Sequence, residues 1–172
     1  MPTLIVFRGL PGTGKSHLVA GLVRERPELL ILSRDSLRAH MVPHPTFKAD
    51  EKRLVDDMIV SMAEFLLHRK RDVVIDGMAL SSASRVDEFV RAAQSCGAQL
   101  RIVQCVCSDE TALARIARDG GVHPAGDRGE MLYHETRARF QPIAHPFLTV
   151  DTEGNPAESL AIILNYISHA MI

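Results

Sequence analysis

The sequence carries no excess of charge of either sign: 20 lysines and arginines face 21 aspartates and glutamates. A chain that holds nucleic acid by bulk attraction shows a basic surplus or stripe, so no non-specific nucleic-acid partner is expected, while a short oligonucleotide end stays open. Long apolar runs are also missing, none approaching the ~20 residues of a membrane span. The start has no basic segment leading into an apolar core, because Arg8 and the nearby glycines interrupt it. A cytoplasmic protein without a membrane partner is therefore expected. Three cysteines, Cys96, Cys105 and Cys107, are too few and too irregular for a disulfide framework. Cys105 and Cys107 alternate as strand residues do and read as buried small apolar groups rather than metal ligands. No linker, composition shift or internal repeat divides the chain, so residues 1–172 read as one domain, long enough to bury its own core.

One stretch stands out: Gly9-Leu10-Pro11-Gly12-Thr13-Gly14-Lys15-Ser16, which fits G-x-x-x-x-G-K-[ST]. Ahead of it, Thr3 to Phe7 is a short apolar run rich in β-branched and aromatic residues, hence a buried strand. Behind it, from His17 to Arg26, Leu18, Val19, Leu22 and Val23 recur at helical spacing. Strand, glycine-rich turn and helix together wrap backbone N–H groups around a polyphosphate and aim a helix N-terminus at it. In that arrangement Gly9, Pro11, Gly12, Thr13, Gly14 and His17 belong to the phosphate cradle. Lys15 reaches the β- and γ-phosphates, and the Ser16 hydroxyl coordinates Mg²⁺.

The remainder alternates strand with helix. Strands are expected at Leu29–Leu32, Asp72–Gly77, Leu100–Val106 and Phe147–Val150. A short helix should end near Met41, before Val42-Pro43-His44-Pro45 forces extended chain. A long helix from about 48 to 70 should bury a stripe of Leu54, Met58, Met62, Phe65 and Leu66. A helix capped around Ser81 should bury Val86, Phe89, Val90 and Ala93 and end at Gly97. Another opens at Ser108-Asp109-Glu110 and carries Arg115 and Arg118. Residues 120–129 hold four glycines and read as a loop, with a lid at roughly 118–130. A helix over about 130–141 follows. Asn155-Pro156-Ala157-Glu158 opens the last helix, with Leu160, Ile163, Leu164 and Ile167 inward. Such alternation implies an α/β fold with a mostly parallel sheet covered on both faces.

Ligands of these sheets bind beyond the carboxyl ends of the strands, where the chain places Asp35, Asp76 and Asp151. A metal, a cationic clamp and a carboxylate facing an acceptor hydroxyl are the parts of in-line phosphoryl transfer. Asp35 is the candidate base, although an aspartate opening a helix can equally be its N-cap. Arg38, one turn later, either holds an acceptor group or forms a surface pair. Asp76 either orients the water shell of Mg²⁺ or closes a turn with Gly77. Arg115 and Arg118 share a helix face and could meet the phosphates as a lid closes, or else end the helix as solvated cations. Arg128 and His123 are weaker lid candidates. His40 and His44 have ligand spacing, but Pro43 breaks the helix a zinc site would need.

The phosphate loop in the form G-x-P-G-x-G-K-S, followed at a matching interval by R-D-x-x-R at Arg34, Asp35 and Arg38, resembles the small P-loop kinases. These are ATP-binding AAA-domain proteins that include the kinase domains of polynucleotide kinases. More loosely, it is similar to chloramphenicol phosphotransferases and zeta-type toxin kinases. The resemblance implies a three-layer P-loop NTPase fold, a five-stranded parallel sheet of order 2-3-1-4-5, and a small lid. It implies Asp35 as general base, Arg38 as acceptor- or phosphate-binding residue, Arg115 or Arg118 as transition-state arginine, and residues 152–155 against the adenine. The D-x-T-N-L segment of the family reads Asp76-Gly77-Met78-Ala79-Leu80 here, so the acceptor side is more apolar. The expectation is an ATP- and Mg²⁺-dependent kinase acting on a hydroxyl of a small molecule or a 5′-hydroxyl nucleic-acid end. The alternative is an ATP-binding or ATPase regulatory module without acceptor chemistry. A GTPase would need an N-K-x-D segment, which the chain lacks, and a ring-forming motor would need a further helical domain.

Overall fold

Leu4 and Val6 point to one side of the first strand and Ile5 and Phe7 to the other, and these two sets seed the two main apolar clusters of the molecule. The structure, a computed structural model, describes residues 1–119 and 129–168. In chain order the elements are β1 (Thr3–Arg8), α1 (Lys15–Glu25), β2 (Leu30–Ser33), α2 (Arg34–Met41), α3 (Ala49–His68) and β3 (Val73–Asp76). They continue as α4 (Ala83–Ser95), β4 (Gln99–Val106), α5 (Asp109–Arg118), α6 (Glu130–Ala138), β5 (Leu148–Asp151) and α7 (Pro156–Ser168). The five strands form one parallel sheet in the order β2-β3-β1-β4-β5. Helices α3 and α4 cover one face through Ile59, Ala63, Leu67, Val86 and Phe89. Helices α1 and α7 cover the other through Leu18, Leu22 and Ile163. A third, smaller cluster joins α5 to α6 through Ala112, Ile116 and Tyr133, with Leu10 of the phosphate loop packed on it.

Register decides what meets at the carboxyl edge. Ser33 pairs with Asp76, so β2 and β3 end side by side. The first turn of α2 consequently lies against the turn after β3. A methyl group at Gly77, whose φ is 80°, would come within 3.3 Å of the Asp35 carboxylate. The buried Arg8 stacks over Phe140 at 4.4 Å and donates to the Gln141 carbonyl at 2.9 Å, and Gln141 in turn meets Ser81 and Ala83 after β3. Burial lowers the pKa of that guanidinium. This contact fastens the segment after α6 to the strand that feeds the phosphate loop.

The stripe expected on α3 is out of phase by one residue. Leu54 and Phe65 are 56% and 55% exposed, and Met62 is exposed as well, whereas Val55, Ile59, Ala63 and Leu67 are buried. Both rows satisfy helical spacing. The buried row packs Val55, Ile59, Ala63 and Leu67 inward, and of the expected stripe Leu66 still packs at the edge of the core. Ile59→Ala should therefore cost about 2–5 kcal/mol, while Leu54→Ala stays within about 0.5 kcal/mol, as read by urea unfolding.

Candidate active site

Residues 9–14 turn from β1 into α1 by repeated use of the left-handed region, with φ of 78° at Gly12 and 76° at Gly14. At Gly12 the constraint is also spatial, because a methyl group there would lie 2.4 Å from the Ala112 carbonyl oxygen of α5. The loop braces itself through Thr13 Oγ1, which donates to the Leu10 carbonyl at 2.8 Å. The buried Lys15 ammonium donates to the Gly9 and Leu10 carbonyls, each at 2.8 Å. Gly14 occupies the N-cap position of α1, and no acidic residue lies in the first turn, so the positive end of that helix is not internally neutralised.

Two cavities flank the loop. The first, about 430 Å³, is bounded by Gly12, Gly14, Lys15, Ser16 and His17 on one side and by Arg115, Arg118, Thr152 and Pro156 on the other. The second, about 680 Å³, is bounded by Pro11, Lys15, Asp35, Arg38, the stretch 77–82, and parts of α3, α4 and α6. Lys15 borders both. Ser16 Oγ donates to Asp76 Oδ1 at 2.9 Å, which joins the two residues expected to share a metal. Among the described residues no group of three or more His, Cys, Asp or Glu side chains gathers as a metal site. A hydroxyl beside a single carboxylate is a donor set that suits Mg²⁺, which commonly completes its shell with water and substrate phosphates.

A family model described as an AAA domain matches residues 4–125, which takes in the phosphate loop, Asp35 and Asp76. The chain belongs to the AAA-domain family. No curated protein matched it by sequence. Among solved structures, the Mycobacterium tuberculosis APS kinase CysC in complex with AMPPNP and APS is similar at 17% identity and TM-score 0.73, covering 98% of each chain. Chaetomium thermophilum Kti12 in complex with ADP-AlF3 is similar at 17% identity and TM-score 0.72, covering 96% of this chain and 100% of that one. A chain of the Pnkp1/Rnl/Hen1 RNA repair complex is similar at 18% identity and TM-score 0.62, covering 81% of this chain and 46% of that one. At these identities the likeness is one of fold, and P-loop kinases are among the fold neighbours of this AAA-domain protein.

Within that fold the expected residues fall into two groups. Arg115 is clamped: its Nη1 donates to Thr152 Oγ1 at 3.0 Å and to the Gly12 carbonyl at 3.4 Å, and its Nη2 donates to the Thr152 carbonyl at 2.7 Å. Arg118 borders the same cavity with its side chain 79% exposed. Most of the expected lid, with His123 and Arg128, lies outside the described residues. Asp35 is buried and does not cap its helix. That position belongs to Ser33, whose hydroxyl accepts from the Ser36 amide. Arg38 is buried rather than on the surface, 3.9 Å from Asp35 and 3.4 Å from Glu51. Behind these two lies a group that no sequence motif marks. Asp56 of α3 accepts an ion pair from Arg34 at 2.7 Å and another from Arg85 of α4 at 3.3 Å. Burial raises the Asp56 pKa against the pull of both arginines. Cys105, its thiol pushed up to about 12 by burial, lies under the loop as an inert apolar group.

The loop after β5 is tied to α5 by a second contact. Glu153 accepts from the Ser108 side chain and amide, and these bonds, with Thr111, hold its carboxyl down to about 2. A depressed carboxylate pKa stabilises the fold above the unfolded value of about 4.3 and ceases to do so as pH falls through the folded value. Thermal melts should show Glu153→Gln less stable than wild type at neutral pH, with the gap closing between about pH 4 and pH 2.

Proposed function

We propose that this AAA-domain protein is an ATP-dependent kinase that phosphorylates a hydroxyl of a small molecule. The observation that carries this reading is the position of Lys15, which borders both the cavity beside the phosphate loop and the cavity lined by Asp35. In the proposal the triphosphate lies in residues 9–16, with its base between Arg115, Thr152 and Pro156, and its γ-phosphate reaches Lys15 at the boundary. The acceptor occupies the second cavity, whose size suits a compact ligand. Its oxygen attacks the γ-phosphorus while the bond to the β-bridging oxygen breaks, ADP leaves, and the hydroxyl proton passes to Asp35. In a loose transition state the proton leaves late, so the aspartate acts mainly by orienting the hydroxyl. Lys15 would neutralise charge on the transferring group. Mg²⁺ would be held by Ser16 and Asp76 and would supply charge neutralisation to the phosphates. Arg118 is assigned to the nucleotide side.

The second reading, an ATPase module without an acceptor, is left open by the likeness to Kti12 in complex with ADP-AlF3. A screen of small alcohols with ATP separates the two. Under the kinase reading some alcohol yields a phosphorylated product, and Asp35→Asn lowers that turnover about a hundredfold or more while ATP affinity stays near wild type. Equal turnover by Asp35→Asn would remove the base assignment, and slow hydrolysis unaffected by any alcohol would favour the ATPase module.

A further inference from the structure

Helix α3 carries two apolar rows, and the fold of one chain uses only one of them. Val55, Ile59, Ala63 and Leu67 pack on the sheet. Leu54, Met58, Met62 and Phe65 run along the outer side, Met58 half-buried and the other three exposed. At 3.6 residues per turn these four fall within about 80° of one another, a single stripe rather than scattered side chains. Towards the sheet edge the stripe continues into a groove of about 380 Å³ that Ile31 and Leu37 line beside Met62. The strand there, β2, is the outermost of the sheet, and its Ile31 is exposed. A continuous apolar surface of this kind marks an interaction face.

Spacing and charge both say what covers it. Leu54 and Phe65 stand at the ends of the stripe with the two methionines between them, so turning the helix end over end about its middle brings Leu54 onto Phe65 and Met58 onto Met62. The stripe therefore complements its own antiparallel copy, as a two-fold interface requires. The first turn of α3 holds Asp50 and Glu51, and its last turn holds His68, followed by Arg69, Lys70 and Arg71. The same reversal sets the acidic end against the basic end twice over, which favours this orientation over a parallel one. Asp50 and Arg69 are exposed, and among the described residues neither forms an ion pair within its own chain. The Arg69 guanidinium lies over the Phe65 ring at 3.6 Å, which keeps the cation at the margin of the apolar surface. The second cavity uses the opposite side of α3, through Lys52 and Asp56.

We infer that α3 packs antiparallel on α3 of a second copy, forming a two-fold dimer in which Leu54 faces the partner subunit's Phe65 and Asp50 faces the partner subunit's Arg69. Sedimentation equilibrium of the full-length protein, at up to about 0.2 mM, tests this. The wild-type mass is expected to rise with concentration from the 19.0 kDa of one chain towards twice that value. Leu54→Glu and Phe65→Glu should each weaken association about tenfold or more. Asp50→Arg and Arg69→Asp should each weaken it too, and the two reversals combined in one chain should recover it. These positions lie roughly 28 Å apart along one helix, so the recovery has to come from the partner. Because Leu54 serves the dimer and not the core of one chain, Leu54→Ala has its small effect on urea unfolding at concentrations where the copies are apart. Should a glutamate variant fail to fold, the charge reversals decide alone. A single-chain mass over the whole range overturns the inference, as does a dimer that both glutamate variants leave unchanged. A double reversal no better than either single one overturns the antiparallel pairing.

Discussion

The backbone between β1 and α1 runs where no side chain fits. At Gly12 the loop touches the backbone of α5, and a methyl group would overlap the Ala112 carbonyl oxygen at 2.4 Å. That approach sets the path of the loop, the loop sets the direction of the α1 N-terminus, and both decide where Lys15 can reach. Because a left-handed φ and a backbone contact coincide at one position, relaxing either would not free the other.

From this anchor the carboxyl edge of the sheet is assembled by short tethers. Arg115 spans from the loop to Thr152, and Glu153 closes the same region by holding the Ser108 cap of α5. On the opposite side, the pairing of Ser33 with Asp76 brings Gly77 under Asp35. Helix α6 is drawn in by Tyr133, whose hydroxyl donates to Asp109 at 2.8 Å, and the chain after it by Arg8. These contacts form the walls of two cavities that meet at one lysine. In a site of this kind fixed polar groups act without having to reorganise during the reaction.

The phosphate loop was legible because its determinants are contiguous: a strand, glycines at set intervals, a lysine and a serine. The parallel sheet followed from alternation of period-two and period-3.6 segments, and its strand order from the resemblance. What was not legible depended on distant residues. Ser33 and Asp35 are both good helix openers, and only the hydrogen bond to Ser36 distinguishes them. Two stripes on α3 fit helical spacing equally well, and the sheet surface chose between them. Asp56 and Arg85 come from separate helices with no shared motif, so the ion-pair group around them had no local signature. The expected lid falls largely outside the described residues.

In the proposed kinase the outermost phosphate of a bound nucleotide and the Asp35 carboxylate face each other across the second cavity. A crystal structure of the protein with Mg·AMPPNP tests it most directly. The γ-phosphorus is expected beside Lys15, with Asp35 opposite and room for one hydroxyl between them. An Asp35 carboxylate turned away from the γ-phosphate, or a nucleotide seated anywhere but residues 9–16, would contradict it.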